Sequence, residues 1–378
     1  MPLPNEEQNM LREMAHNWAQ KDSPVRAFRD LRDSDNTQGF DAATLATMAE
    51  MGWTGTVIPE EYGGSDFGYW SAGIIVEELG RTLVAAPLIG SAVGAASALK
   101  LGGTQAQKSS WLPRIADGSA VAALAIDETA HFAPERIAFG AQRKGDGYTL
   151  SGTKRLVHEG LAADVFIVAA RTSGSPADVE GVTLFVVPGD TPGIRRERRK
   201  MIDHRGYADV SFDDVALGGD AVLGTVGSGR QVLHPVLDIA AATTAAEALG
   251  LATQAFETTL DYLKVRVQFG QVIGTFQALQ HRAAKMYTDI QVARPTVEEA
   301  LNALDAGAED ACAAVSLAKA TANDLVHQLT REMIQLHGGI GMTDAHDAGF
   351  YIKRARVLEA AFGTSAYHRE RYGRLLGI

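Results

Sequence analysis

The chain of 378 residues has one cysteine, Cys312. No intramolecular disulfide and no thiolate zinc cluster can be built from it. Such scarcity suits a reducing compartment. Long apolar runs are missing as well. The stretch from Val165 to Ala170 is far short of the ~20 residues that span a bilayer. The opening MPLPNEEQNM carries acids where a secretory leader would carry a basic patch and an apolar run. A cytoplasmic protein without a membrane span is therefore expected. Positive charge is not in excess either: 35 Lys and Arg stand against 46 Asp and Glu, a net charge of −11. An acidic chain of this kind is a poor general binder of nucleic acid or anionic membrane, though a local basic pocket for a phosphorylated small molecule is compatible with it. No GxGxxG, Walker A, HExxH or GxSxG sequence occurs. The ten histidines are scattered, and neither His337 nor His346 has a carboxylate or second histidine at ligand spacing, so no metal site is expected.

What is present falls into three zones, which predict an α+β chain. Residues 1–116 read as a helical domain. Phe40, Leu45, Met48 and Met51 recur at helical spacing behind Asp41, a candidate N-cap, and Ile74 to Leu79 begins another helix bearing Glu77 and Glu78. Pro59 and Gly63-Gly64 mark the loop between them. Residues 117–227 change period to short β-branched runs, Val165 to Ala169 and Val182 to Val187, with a hairpin signal at Asp146-Gly147. Val210 and Phe212 alternate with polar neighbours as in a half-buried strand. An antiparallel β domain, barrel or sandwich, is expected, with the basic stretch Arg195 to Lys200 as a solvated loop or turn. Residues 228–378 return to helix. One helix is expected over Gln231 to Arg266, rich in alanine, and a second from Phe276 to Arg294, stopping before Pro295. A third carries Leu325, Leu329, Met333 and Leu336 as its stripe, with Gly338 as C-cap. Three or more long helices at this spacing predict a four-helix bundle.

Two segments carry chemistry. Arg266-Val-Gln268-Phe269-Gly270, followed by Gly274-Thr-Phe276-Gln277, brings a guanidinium, an amide and an aromatic ring to a break between helices. Such a trio can pair with a pyrophosphate and pack on an adenine. Gln335-Leu336-His337-Gly338-Gly339 ends a helix in glycines, which let a ligand approach the backbone. A helix–turn–helix corner and a plain glycine cap explain the same residues without a ligand.

Taken together, these segments resemble the acyl-CoA dehydrogenase family over nearly the whole chain. Gly52-Trp53, Pro59 to Gly64 and Glu77-Glu78-Leu79-Gly80-Arg81 resemble its N-terminal pattern. The Arg266 to Gln277 and Gln335 to Gly339 segments resemble its two flavin-adenine segments, and Gly363-Thr364-Ser365 its C-terminal flavin loop. The resemblance implies FAD as cofactor and α,β-desaturation of an acyl-CoA thioester. A carboxylate then removes the α-proton while hydrogen-bond donors polarise the thioester oxygen. It further implies a homo- or hetero-oligomer, a tetramer by analogy, with an electron-transferring flavoprotein or similar acceptor. The cofactor contacts it implies are Arg266, Gln268, Phe269, Gln277, Gln335, Leu336, Gly338, Gly339, Thr364 and Ser365.

The chain departs from that pattern where the chemistry is done. The family's two alternative positions for the catalytic glutamate hold Phe362 and Ala240 here. The loop that usually reads Thr-Glu-Pro, then Gly-Ser-Asp, reads Ile126-Asp127-Glu128-Thr129 and lacks the second part. The Trp and Thr that flank the flavin ring correspond to about Leu156 and His158. Glu247 lies seven residues after Ala240, on the same helical face and roughly 10 Å along the axis. It is a candidate base, its pKa raised by burial, or a structural inter-helix partner. Three readings stay open. The chain is itself a desaturating subunit, for a bulky or steroid-derived acyl group. Alternatively it is a non-catalytic subunit that completes the FAD site of an unlike partner, as in steroid-type branches of the family; the tail His346 to Arg356 is similar to that branch. Or it is a flavin enzyme acting on something other than a CoA ester.

Overall fold

The computed structural model describes residues 4–378. In chain order the elements are α1 (Glu6–Lys21), α2 (Val25–Asp33), α3 (Ala42–Glu50), α4 (Gly68–Arg81), α5 (Ala96–Gly102) and α6 (Gln105–Ala116). Strands β1 (Ala122–Ala125), β2 (Gly140–Lys144), β3 (Gly147–His158), β4 (Val165–Arg171), β5 (Val182–Pro188), β6 (Ile194–Lys200), β7 (Gly206–Leu217) and β8 (Val222–Leu223) follow. Then come α7 (Arg230–Val265), the short strands β9 (Val267–Gln268) and β10 (Gln271–Val272), α8 (Gln277–Ala306), α9 (Ala311–His337), α10 (Ala348–Ala360) and α11 (Ser365–Leu375). The order is helical, β, helical, as expected.

Local chemistry sets the ends. Asn5 caps α1 in a reciprocal box with Gln8, and the Asp41 side chain accepts the Thr44 N–H at 2.8 Å to start α3. Gly338, at φ +64°, ends α9, a conformation that favours glycine.

Two compact units emerge. One comprises the described part of Met1–Asp30 with Tyr69–Val84 and Ala241–Ile378; the other comprises Leu31–Gly68 and Ala85–Ala240. The second unit holds one sheet in the order β6-β7-β3-β2-β4-β5-β8, with β1 pairing β4 in parallel. Pairing is otherwise antiparallel apart from a single parallel β2–β4 contact, Gly140 opposite Arg171. Phe139, Phe166, Phe185 and Phe212 fill the core beneath it.

Three expectations are corrected. Arg195 to Lys200 is an edge strand, not a loop: β6 pairs with β7 from Ile194 opposite Phe212 to Lys200 opposite Gly206. Pairing to a buried neighbour supplies what the charged sequence does not advertise, and edge strands favour such charge because it deters further pairing. Helix α8 does not stop before Pro295 but runs to Ala306. Proline removes one donor, yet Ala293 and Val297 on either side are buried, so packing holds the helix through it. The hairpin turn also sits one residue early: Lys144 pairs with Gly147, leaving Gly145 and Asp146 as the loop.

In the first unit, glycine lets helices come close. A Cβ on Gly250 would lie 1.8 Å from the Glu77 carbonyl oxygen, and one on Gly80 would lie 2.7 Å from that of Glu247. The most apolar long helix, α7, has its most apolar window fully buried in the fold.

Candidate functional site

The two positions where the resemblance expects a base offer none. Ala240 is fully buried on α7, and Phe362 occupies a turn after α10 at φ +53°. Glu247, the substitute, is buried on α7 and engaged. Arg354 of α10 donates to it through Nε at 2.7 Å and Nη2 at 2.6 Å. The inter-helix ion pair is the arrangement the structure gives it. Both carboxylate oxygens are thereby occupied by guanidinium N–H groups and neither is left open to a substrate proton.

The nucleotide-binding candidates gather at one end of the helical unit. Val267–Gln268 and Gln271–Val272 form a two-residue hairpin whose tip is Phe269-Gly270, at φ +54° and +79°. The turn thrusts the Phe269 ring outward until it is 91% exposed. Arg266 lies just before this hairpin and has no side-chain partner among the described residues. The Tyr262 ring, on the last turns of α7, stacks on His337 at 4.4 Å between centroids. That contact joins the hairpin's helix to the C-terminus of α9. There Gln335, Gly338 and Gly339 are exposed, and nothing lies within 4 Å of where a Cβ on either glycine would sit. Gln277, at the start of α8, is exposed too, whereas the Gln268 amide donates to its own neighbour, the Val267 carbonyl, at 2.8 Å.

This donor set fits the dinucleotide half of a flavin: one guanidinium, several amides, an open glycine backbone and an exposed aromatic ring that meets Phe276 edge-on. Three expected contacts are differently employed. The Leu336 side chain is 7% exposed and packs inside. The Thr364 hydroxyl accepts the Tyr367 N–H to cap α11, and Ser365 donates to Asp324 Oδ1 at 2.8 Å.

In the β unit, the segments that the resemblance sets against the flavin ring are occupied with one another. Glu128 accepts the Ala138 and Phe139 N–H groups and the ammonium of Lys154, which is fully buried and also donates to the Ile126 carbonyl. Burial holds Lys154 down to about 8, against the pull of Glu128, and pushes the Asp127 carboxyl up to about 7. Asp127 Oδ1 is buried without a hydrogen-bond partner. Leu156 is left-handed at φ +48° with its N–H held by Asp209 at 3.0 Å, and the His158 ring packs on Tyr207 at 4.2 Å.

One cluster went unnoticed in the sequence. Lys319 and Asn323 lie one turn apart on α9, both buried. The Lys319 ammonium donates to Asn323 Oδ1 at 2.7 Å and to the carbonyls of Leu358 at 2.9 Å and Gly363 at 3.2 Å. Asn323 in turn donates to the Glu359 and Gly363 carbonyls, each at 3.3 Å. From α11, buried His368 donates through Nε2 to the Phe362 carbonyl at 2.9 Å. Burial pulls Lys319 down to about 7, opposed by Glu359, and pulls His368 down to about 3, so the imidazole is neutral near pH 7. The legible signal was polar residues at helical spacing inside an apolar helix.

The acyl-CoA dehydrogenase N-terminal, middle and C-terminal domain families match residues 5–119, 127–215 and 227–377. A mitochondrial isovaleryl-CoA dehydrogenase of Pongo abelii is 32% identical over 386 residues, covering 98% of this chain and 88% of the relative. Among solved structures, butyryl-CoA dehydrogenase from Megasphaera elsdenii has a TM-score of 0.92 at 26% identity, covering all of both chains. The Tcur3481-Tcur3483 steroid ACAD has a TM-score of 0.87 at 30% identity, covering 98% of each chain.

Proposed function

Since this chain belongs to the acyl-CoA dehydrogenase family, FAD-dependent flavin oxidoreductases acting on the CH–CH bond of acyl-CoA thioesters, we propose that it is one of two unlike subunits of such an enzyme. In this reading it lends nucleotide contacts to a flavin site whose carboxylate base stands on the partner. The observation that carries it is the Glu247–Arg354 ion pair. With Phe362 and Ala240 in the usual base positions, the one carboxylate left as a candidate is already committed to a guanidinium.

FAD, when bound, supplies hydride acceptance from the β-carbon. This chain's residues bind and orient it. Arg266 would pair with the pyrophosphate, Gln268, Gln277 and Gln335 would offer amides, Phe269 would offer its ring to the adenine, and Gly338 and Gly339 leave the backbone approachable. At the head of α11 the Thr364 hydroxyl, which only accepts from Tyr367, and the backbone of Ser365, whose hydroxyl is engaged by Asp324, would meet the flavin. The exposure of the Phe269 ring in the single chain supports a contact made across a subunit boundary. Likeness to a steroid ACAD supports a bulky, steroid-derived acyl group as substrate, and an electron-transferring flavoprotein suits the role of acceptor.

Native mass spectrometry of the assembly from its host, with flavin count and bleaching by acyl-CoA thioesters, tests the proposal. The expected result is a stable unlike subunit carrying its own base glutamate, with the chain alone holding FAD substoichiometrically. A homo-oligomer with one tightly held FAD per chain, bleached by an acyl-CoA, would overturn it.

A further inference from the structure

The segment 358–363 is gripped by side chains to an unusual extent. Four of its six carbonyls, those of Leu358, Glu359, Phe362 and Gly363, accept from Lys319, Asn323 or His368. Three acceptors around Lys319 match the three protons of its ammonium. Two of the carbonyls belong to the last turn of α10, whose orphan acceptors and negative dipole end welcome a cation. The backbone they hold is not relaxed. Phe362 is a bulky aromatic at φ +53°, and Gly363 stands at φ +109°, where a Cβ would lie 2.6 Å from His368 Nε2. Left-handed geometry at a bulky residue persists only where its surroundings over-determine it. Burying a lysine completely is costly unless its partners are complete. The fold therefore commits a buried cation, an amide and an imidazole to fixing one turn.

The turn leads directly into α11, whose N-cap is Thr364 and whose first residue is Ser365. α9 reaches that point as well, since Ser365 donates to Asp324 Oδ1, one residue beyond Asn323. A single polar stripe on α9 thus sets the end of α10, the turn and the head of α11.

We infer that Lys319, Asn323 and His368 are positioning residues that fix the Phe362–Gly363 turn so that Thr364 and Ser365 meet the flavin. The inference rests on the proposed function for that contact. None of the three touches the cofactor; they act through the backbone they hold. Since the grip is on carbonyls, it is indifferent to which side chain occupies position 362.

The test uses the assembled protein and free FAD. Lys319→Met, Asn323→Leu, His368→Gln and Arg266→Ala are compared with the unaltered chain for FAD dissociation constant and for the visible circular dichroism of bound flavin. Asn323→Leu keeps the lysine and two of its three acceptors, and far-ultraviolet circular dichroism checks that each variant is folded. His368→Gln retains an N–H donor and is the conservative control. The expected result is FAD binding weakened about tenfold or more in Lys319→Met and Asn323→Leu, with an altered flavin dichroism, and near-normal values in His368→Gln. Normal affinity and dichroism in a folded Asn323→Leu, with flavin lost in Arg266→Ala, would overturn this inference alone. An assembly that holds no flavin would overturn the proposed function and the inference with it. Full flavin retention in Arg266→Ala with loss in Asn323→Leu would remove the boundary contact and leave the positioning role standing.

Discussion

Glu247 and Arg354, 107 residues apart in sequence, meet in a buried two-pronged ion pair between α7 and α10. Truncating one member leaves the other charged and without its partner, which typically costs about 3–5 kcal/mol, whereas replacing both by apolar residues of similar size is often neutral. Glu247→Ala is therefore expected to lower the urea midpoint sharply. Glu247→Leu combined with Arg354→Met should recover most of the loss. If Glu247 were instead a base exposed to substrate, Glu247→Ala would leave the midpoint nearly unchanged, and equilibrium denaturation of the three variants decides.

How much of this was legible in the sequence depends on the range of the forces involved. The Asp41 cap and the Gly338 helix end follow from residues within one turn of one another, and the apolar strands β4 and β5 declare themselves by composition. The β6 strand did not, because its five cationic residues are ordered by pairing to β7 rather than by their own pattern. Nor did the continuation of α8 through Pro295, where tertiary packing overrides a local breaker. The site divides in the same way. Arg266, Phe269 and Gly338 could be singled out because their type and spacing suggest a nucleotide. The partner of Glu247 and the carbonyls that Lys319 and Asn323 hold lie on α10 and in the turn after it, and no local pattern announces them.

Arg266→Ala should separate binding from stability. The guanidinium is exposed and makes no side-chain contact among the described residues, so the fold loses nothing by its removal, and a surface change of this kind stays within about 0.5 kcal/mol. A ligand pyrophosphate would lose a charge-assisted donor worth roughly 1.5–3 kcal/mol. The expected outcome is an unchanged denaturation curve with a lower ratio of flavin absorbance to protein. Full flavin occupancy would exclude the contact.

Arg171, at the end of β4, closes the loop that follows it. It donates to the carbonyls of Ile137 at 2.9 Å, Pro176 at 2.9 Å, Glu180 at 2.6 Å and Asp178 at 3.2 Å. One guanidinium thereby satisfies acceptors that would otherwise be stranded. Arg171→Met should cost at least about 2 kcal/mol. It should also open residues 173–181 to limited proteolysis, read by mass spectrometry of the nicked fragments. A loop as resistant as in the unaltered chain would show that its own backbone turns suffice.

Asp127 gives a pH dependence with a definite sign. Burial raises its carboxyl to about 7, with Lys154 opposing and Glu128 adding to the shift, from an ordinary value of 3.8. Between those two values the folded chain holds a proton that the unfolded chain has released. Stability therefore falls as pH rises from about 4 to about 7, and the full cost persists above 7. Asp127→Asn removes the ionisation while keeping the shape. The variant should match the unaltered chain near pH 4 and exceed it at pH 8 by on the order of 4 kcal/mol, the linkage between carboxyl values of 3.8 and about 7. Urea midpoints at pH 4, 6 and 8 measure it. A difference that stays flat across this range would mean that the carboxyl titrates normally, and that its environment is wetter than its buried, unpartnered Oδ1 implies.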